Sequence, residues 1–127
     1  MNIFKIGDTD FGIGEVILKI DSEKSFITDL SITASKEISE QRRADEGEPW
    51  YLIQDPPNAY FNGIPLVNGT TEITEELLDK FDIGLYLWEH NPLYGTLTID
   101  DKCIIVKGEV NLLAEMYPLE IVAVYVK

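Results

Sequence analysis

Two neighbouring segments in which apolar and polar residues alternate place the strongest constraint on how this chain folds. One segment covers residues 13–20, the other covers residues 26–34, and a polar turn at 21–24 joins them. Alternation with a period of two is typical of a strand with one buried face. The side chains expected to point inward are Val16, Leu18, Ile20, Phe26, Thr28, Leu30, Ile32 and Ala34. The sequence therefore predicts an antiparallel hairpin over residues 13–34.

A short helix is predicted over residues 74–81. Thr74 can cap the free backbone amides at its start, and Glu75 and Glu76 suit the positive end of the helix dipole. Leu77, Leu78 and Phe81 are spaced so that they share one face. A helix of two or three turns depends on packing, so this face is expected to be buried.

Other short apolar runs predict further strands. Asp100-Asp101-Lys102 lies between two of these runs and predicts the turn of a second hairpin. The run at 119–126 is apolar on both faces, which is typical of a central strand covered on two sides. The predicted strands outside the first hairpin cover residues 2–6, 50–54, 83–87, 96–99, 103–106 and 119–126.

Three connecting segments complete the prediction. Residues 35–48 suit either a short exposed helix or a loop, and residues 111–117 suit one helical turn. Residues 55–65 contain Pro56-Pro57 and Asn62-Gly63, and these dipeptides predict a loop.

The predicted elements indicate one α+β domain over residues 1–127. It has a mainly antiparallel sheet of roughly seven strands and one short helix, because strands precede and follow the helix without regular alternation. An all-β sandwich or barrel is the alternative. One cysteine, Cys103, rules out an internal disulfide, so packing must hold the core. Its apolar run predicts that Cys103 is a buried strand residue.

The net charge of −13 is concentrated in the middle of the chain. Residues 44–101 hold twelve acidic residues and one basic residue, Lys80. This charge either keeps the protein soluble or presents a negative field to a basic partner. With ten Lys and Arg against twenty-three Asp and Glu, the chain is a poor candidate for binding nucleic acid.

Location is inferred from the same sequence. No run approaches the roughly 18 apolar residues that span a bilayer. The first residues lack the pattern of a secretory signal. These features predict a cytoplasmic protein that does not bind membranes.

The sequence offers little support for catalysis. His90 is the one histidine, no nucleophile-elbow motif is present, and a polar role for His90 in a turn is favoured. One histidine and one cysteine cannot close a structural zinc site, so neither a metal nor a cofactor is expected. The sequence thus favours a protein that is not an enzyme.

Aromatic residues lie within the acidic middle segment, and aromatic anchors inside a charged rim are typical of a protein-binding surface. The predicted function is a non-catalytic acidic module that binds a basic protein, as an immunity protein or inhibitor masks a toxin. The predicted partner-binding residues are Trp50, Asp55, Tyr60, Phe61, Glu75, Glu76, Asp79 and Glu89.

Two other functions stay open. One is a small enzyme or ligand-binding domain with a cleft near the 55–65 loop and His90. The other is a subunit of an assembly, including a homo-oligomer, in which an exposed sheet edge pairs with another chain.

Overall fold

The computed structural model describes residues 2–21, 23, 26–35, 57–65, 68–85, 93–112 and 115–125. Within these residues the chain forms two antiparallel sheets and one short helix. The strands are β1 (Ile3–Ile6), β2 (Thr9–Asp10), β3 (Ile13–Asp21), β4 (Phe26–Ala34), β5 (Asn58–Asn62), β6 (Ile64–Pro65), β7 (Gly69–Ile73), β8 (Asp82–Leu85), β9 (Leu93–Ile99), β10 (Cys103–Leu112) and β11 (Glu115–Val124), and the helix is α1 (Glu75–Lys80).

The strands form two sheets that share one core. The first sheet has six strands in the order β2-β1-β11-β10-β9-β7. The second sheet has the order β3-β4-β5-β8, with β6 paired to β4 as a fifth strand. Side chains of both sheets meet in one hydrophobic cluster, in which Phe4 and Ile121 of the first sheet and Leu30 and Phe61 of the second are fully buried. The fold is therefore mostly antiparallel sheet with one short helix. The described residues hold eleven strands in two sheets, where roughly seven strands in one sheet were predicted. The predicted all-β alternative fits in part, since neither sheet closes on itself.

The hairpin predicted over residues 13–34 is confirmed as β3 paired with β4. Its inward face differs from the prediction at one end. Lys19 pairs with Asp29 and Ile20 pairs with Ile27, so Thr28 is an extra residue in β4. This bulge shifts the alternation by one residue. Ile27 is therefore buried and Thr28 is exposed, so the predicted inward position of Thr28 is wrong. Phe26, also predicted to point inward, is only partly buried, and Ile20 is 38% exposed.

The predicted first strand is confirmed as β1, and the predicted second hairpin is confirmed as β9 and β10, whose ladder runs from Ile104–Ile99 to Val110–Leu93. The helical turn predicted over 111–117 is wrong. Leu112 instead pairs with Glu115, so β10 and β11 form a third hairpin with ten residues in each strand. The prediction gave weight to local composition, whereas long cross-strand pairing decides the structure here.

Strand β11 is central, as predicted, since it lies between β1 and β10. Its two faces are not equally covered. Leu119, Ile121 and Ala123 are buried, whereas Val122 is only partly buried and Val124 is 50% exposed. The prediction that both faces are covered is wrong, because the second sheet packs on one of them.

The loop predicted over 55–65 contains strands. Ala59 and Phe61 point into the core from β5, which pairs with β4 and β8. Gly63, with a φ of +79°, separates β5 from β6 and supplies the turn that Asn62-Gly63 predicts. The predicted strand at 83–87 is confirmed over Asp82–Leu85, and its residues 86–87 lie outside the described residues. The predicted strand at 50–54, and all but Ser35 of the segment predicted over 35–48, also lie outside them.

Candidate protein-binding surface

Five exposed carboxylates lie on one short stretch of the described chain, between the end of β7 and the start of β8. We call this group the acidic surface. It consists of Glu72, Glu75, Glu76, Asp79 and Asp82, all of which are exposed. Over residues 72–82 the one basic residue is Lys80.

Helix α1 orients three of these carboxylates. The hydroxyl of Thr74 accepts a hydrogen bond from the backbone N–H of Leu77, at 3.2 Å, so the helix begins as predicted. Leu77, Leu78 and Phe81 pack against the core, but each is only partly buried, so the face predicted to be buried is covered in part. Because one face is held by this packing, Glu75, Glu76 and Asp79 point to solvent.

In the described part of the chain, no ion pair involves the acidic surface. Among the described residues, the ion pairs are Lys5 with Asp10 at 3.9 Å and Lys19 with Asp29 at 3.8 Å, both outside this surface. The ammonium of Lys80 instead lies 5.6 Å from the centre of the Phe81 ring, a cation–π contact. Five carboxylates are therefore exposed. The basic residue within the same stretch, Lys80, has its ammonium directed towards an aromatic ring.

A side-chain hydrogen bond orients the carboxylate at the end of the acidic surface. The amide Nδ2 of Asn62 donates to Oδ2 of Asp82 at 3.1 Å. Asn62 and Asp82 are also cross-strand partners in β5 and β8. This contact joins the acidic surface to the second sheet, while Glu72 on β7 joins it to the first.

The structure brings together three of the residues predicted from sequence to bind a partner. Glu75, Glu76 and Asp79 lie on α1 as expected. Sequence reasoning left out Glu72 and Asp82, although both belong to the same acid-rich segment and flank the predicted helix. Trp50, Asp55 and Glu89, together with His90, lie outside the described residues.

The two remaining predicted residues, Tyr60 and Phe61, make contacts within the fold. Phe61 is fully buried in the core, so its side chain is not part of the exposed surface. Tyr60 is the cross-strand partner of Gly84, and a methyl group at Gly84 would lie 2.6 Å from the Tyr60 hydroxyl. The tyrosine ring thus covers a glycine in the neighbouring strand, which is a known way of packing a bare backbone position.

The carboxylate of Asp100 is engaged within the protein. Oδ1 of Asp100 accepts the backbone N–H groups of Lys102 and Cys103, each at 2.8 Å, in the turn between β9 and β10. Oδ2 accepts the Cys103 thiol at 3.0 Å, and the Tyr125 hydroxyl donates to the Asp100 carbonyl at 2.6 Å. These bonds stabilise the hairpin turn.

The same contacts shift the pKa values of Asp100 and Cys103. The Cys103 thiol and then the two backbone amides lower the pKa of Asp100. The hydrogen bond to Asp100, followed by burial, raises the pKa of Cys103. Cys103 is only partly buried, so the prediction of a buried residue is corrected, and its thiol is held in the protonated, less nucleophilic form.

An open cleft of about 430 Å³ lies between β3 and the end of β11. Most of its accessible lining is polar, and Glu15 and Tyr125 are its titratable groups. In the part of the chain that the structure describes, no three His, Cys, Asp or Glu side chains are placed to hold a metal ion. Within that same part, no helix is long and apolar enough to cross a membrane.

Comparisons with protein-family models, curated proteins and solved structures give no match to this chain. Its function is therefore inferred from the chemistry of its own surface.

Proposed function

We propose that this protein is a non-catalytic acidic module that binds and masks a basic surface of another protein, and that the acidic surface on α1 makes the contact. The observation that carries the proposal is the set of five exposed carboxylates with no described ion pair. A cytoplasmic inhibitor of the immunity-protein type, acting on a basic toxin, would use an exposed acidic surface of this kind.

Electrostatics explain how such a surface would work. A patch of one sign steers an oppositely charged partner and raises the rate of encounter, more than it adds affinity. Attraction between exposed charges weakens once the Debye length shortens from about 10 Å at 0.1 M salt to about 3 Å at 1 M. Binding through the acidic surface should therefore depend strongly on salt.

The shape of the surface fits a binding role. α1 is anchored by three apolar side chains and connects the edge strands β7 and β8 of the two sheets. The carboxylates are thus held on a supported element, which limits the entropy lost when a partner binds. The same negative field would repel nucleic acid and anionic membranes.

The experiment is affinity capture from a lysate of the source organism at low and at high salt, with partners identified by mass spectrometry. The test bait carries Glu75→Gln, Glu76→Gln and Asp79→Asn. The control bait removes the same three charges elsewhere, through Asp8→Asn, Glu23→Gln and Glu109→Gln, all at exposed positions.

A basic protein supports the proposal if the native and control baits capture it while high salt and the test bait release it. Equal loss with both baits would show that only total charge matters. Undiminished capture by the test bait would place the contact elsewhere. Circular dichroism of the three baits checks that each remains folded.

A further inference from the structure

The two sheets end in four edge strands among the described residues, and one of these edges differs from the others. β2 has two residues, and β8 has three consecutive buried residues, Ile83 to Leu85. β7 has five residues, and the first four, Gly69 to Glu72, are exposed. None of those four is a large apolar residue. β3 has nine residues and is paired on one side, with β4. Long, apolar edge strands are templates for pairing with another strand.

The side chains of β3 are unusually accessible for apolar residues. Ile17 and Ile20 are each 38% exposed. Val16 and Leu18 are partly buried, pack against the core and line the open cleft beside β11. Both faces of this edge therefore present apolar surface that a neighbouring strand would cover.

We propose that β3 pairs with β3 of a second copy of this chain, antiparallel and with a two-fold axis at Ile17. This register places Glu15 opposite the partner's Lys19 and Lys19 opposite the partner's Glu15. It also places Val16 opposite the partner's Leu18. The result is a continuous sheet formed by the second sheets of the two copies, held by a self-complementary contact.

Charge selects this register. Glu15, Ile17 and Lys19 alternate on the solvent face of β3, and all three are exposed. Moving the register by two residues in either direction removes both opposite-charge pairs, and moving it by one places each side chain on the wrong face. Within one copy, Lys19 already lies 3.8 Å from Asp29, whereas Glu15 has no ion pair among those found in the described residues. Pairing supplies Glu15 with a cation.

The position of β3 also keeps the dimer compatible with the strong negative charge. β3 and β8 are opposite edges of the second sheet, three strand spacings or about 14 Å apart. The acidic surface lies beside β8, so the two acidic surfaces remain exposed on the outer sides of the dimer. The dimer contact and the proposed partner contact can therefore be tested separately.

Two charge-reversal variants provide the test. Glu15→Lys places like positive charges opposite each other in both pairs, and Lys19→Glu does the same with negative charges. Each variant alone should dimerise about tenfold more weakly than the native chain, or worse. A mixture of the two should form a heterodimer, because every pair across it is again of opposite sign.

The measurement is sedimentation equilibrium of each protein and of the mixture, up to about 1 mM, the weak end of the affinity scale. Met116→Lys is the control, since Met116 is 46% exposed on β11, away from β3, and this variant should dimerise like the native chain. A native chain that stays monomeric at this concentration overturns the proposal. A native dimer that both charge variants leave unchanged, or a mixture without heterodimer, also overturns it.

Discussion

Two glycines of the first sheet approach each other closely across neighbouring strands, and replacing one of them provides a sharp test of the packing. Gly95 in β9 and Gly108 in β10 are cross-strand partners. A methyl group built on Gly108 would lie 2.7 Å from Cα of Gly95 and 2.8 Å from the carbonyl carbon of Tyr94. Ordinary carbon–carbon contacts are about 3.5–4.0 Å. Gly108→Ala must therefore push the two strands apart by about 1 Å.

The expected destabilisation follows from that displacement. Inserting a methyl group into a packed site costs about 1–3 kcal/mol. Separating the strands also weakens the ladder hydrogen bonds on either side, at about 1 kcal/mol each for two bonds. We expect Gly108→Ala to lower the free energy of unfolding by about 3–5 kcal/mol. With a urea m-value of about 2 kcal/mol/M, the midpoint falls by roughly 1.5–2.5 M.

Two further variants separate crowding from backbone strain. Gly69 has a φ of +141°, and a methyl group there would meet no atom of the described residues within 4 Å. Gly69→Ala therefore measures strain without a clash, about 1–2 kcal/mol. The double variant Gly95→Ala/Gly108→Ala should cost less than the sum of its single variants, because the first methyl group has already separated the strands. A midpoint for Gly108→Ala within experimental error of the native value would refute the close approach.

The other predictions concern the core, the helix cap and the turn at Asp100. Phe61→Ala should lower the free energy of unfolding by about 3–5 kcal/mol in urea melts, since the side chain is fully buried, and a loss below 1 kcal/mol would contradict that burial. Thr74→Ala should cost about 1 kcal/mol in the same assay, while Thr74→Asp, which can still cap, should not. Asp100 has a pKa below its ordinary value of 3.8, so its carboxylate stabilises the fold above that pH and the contribution is lost as the pH falls through the folded-state pKa. Asp100→Asn should shift the iodoacetamide-reaction profile of Cys103 to lower pH, because the native carboxylate raises the thiol pKa, and an unchanged profile would contradict that coupling.

Elements with a strong local signal were predictable from sequence. The β3–β4 hairpin follows from alternation, and α1 follows from the Thr74 cap and its apolar spacing. The acidic character of residues 72–82 is also visible in the sequence. In each case the pattern lies within a few neighbouring residues, so no knowledge of distant contacts is needed.

Features that depend on distant pairing were not predictable in the same way. β5 lies between Pro57 and Gly63, and these turn-forming residues outweigh the short alternation of Ala59 and Phe61. The bulge at Thr28 changes which side chains face inward, but it is visible only in the pairing of β4 with β3. The thiol contact of Cys103 likewise depends on the geometry of the turn at Asp100.

The pairing of β1 with β11 has a consequence for how the chain folds as it is synthesised. Asn2 accepts a hydrogen bond from the backbone of Val124, 122 positions further along the chain, and Phe4 and Ile6 of β1 are buried. A ribosome adding about 5–20 residues per second needs roughly 6–24 s to cover that distance. A hairpin such as β3–β4 can close in about 1–10 μs. The second sheet can therefore start to form on the nascent chain, while the two buried side chains of β1 stay unpaired until β11, the last strand of the first sheet, is made.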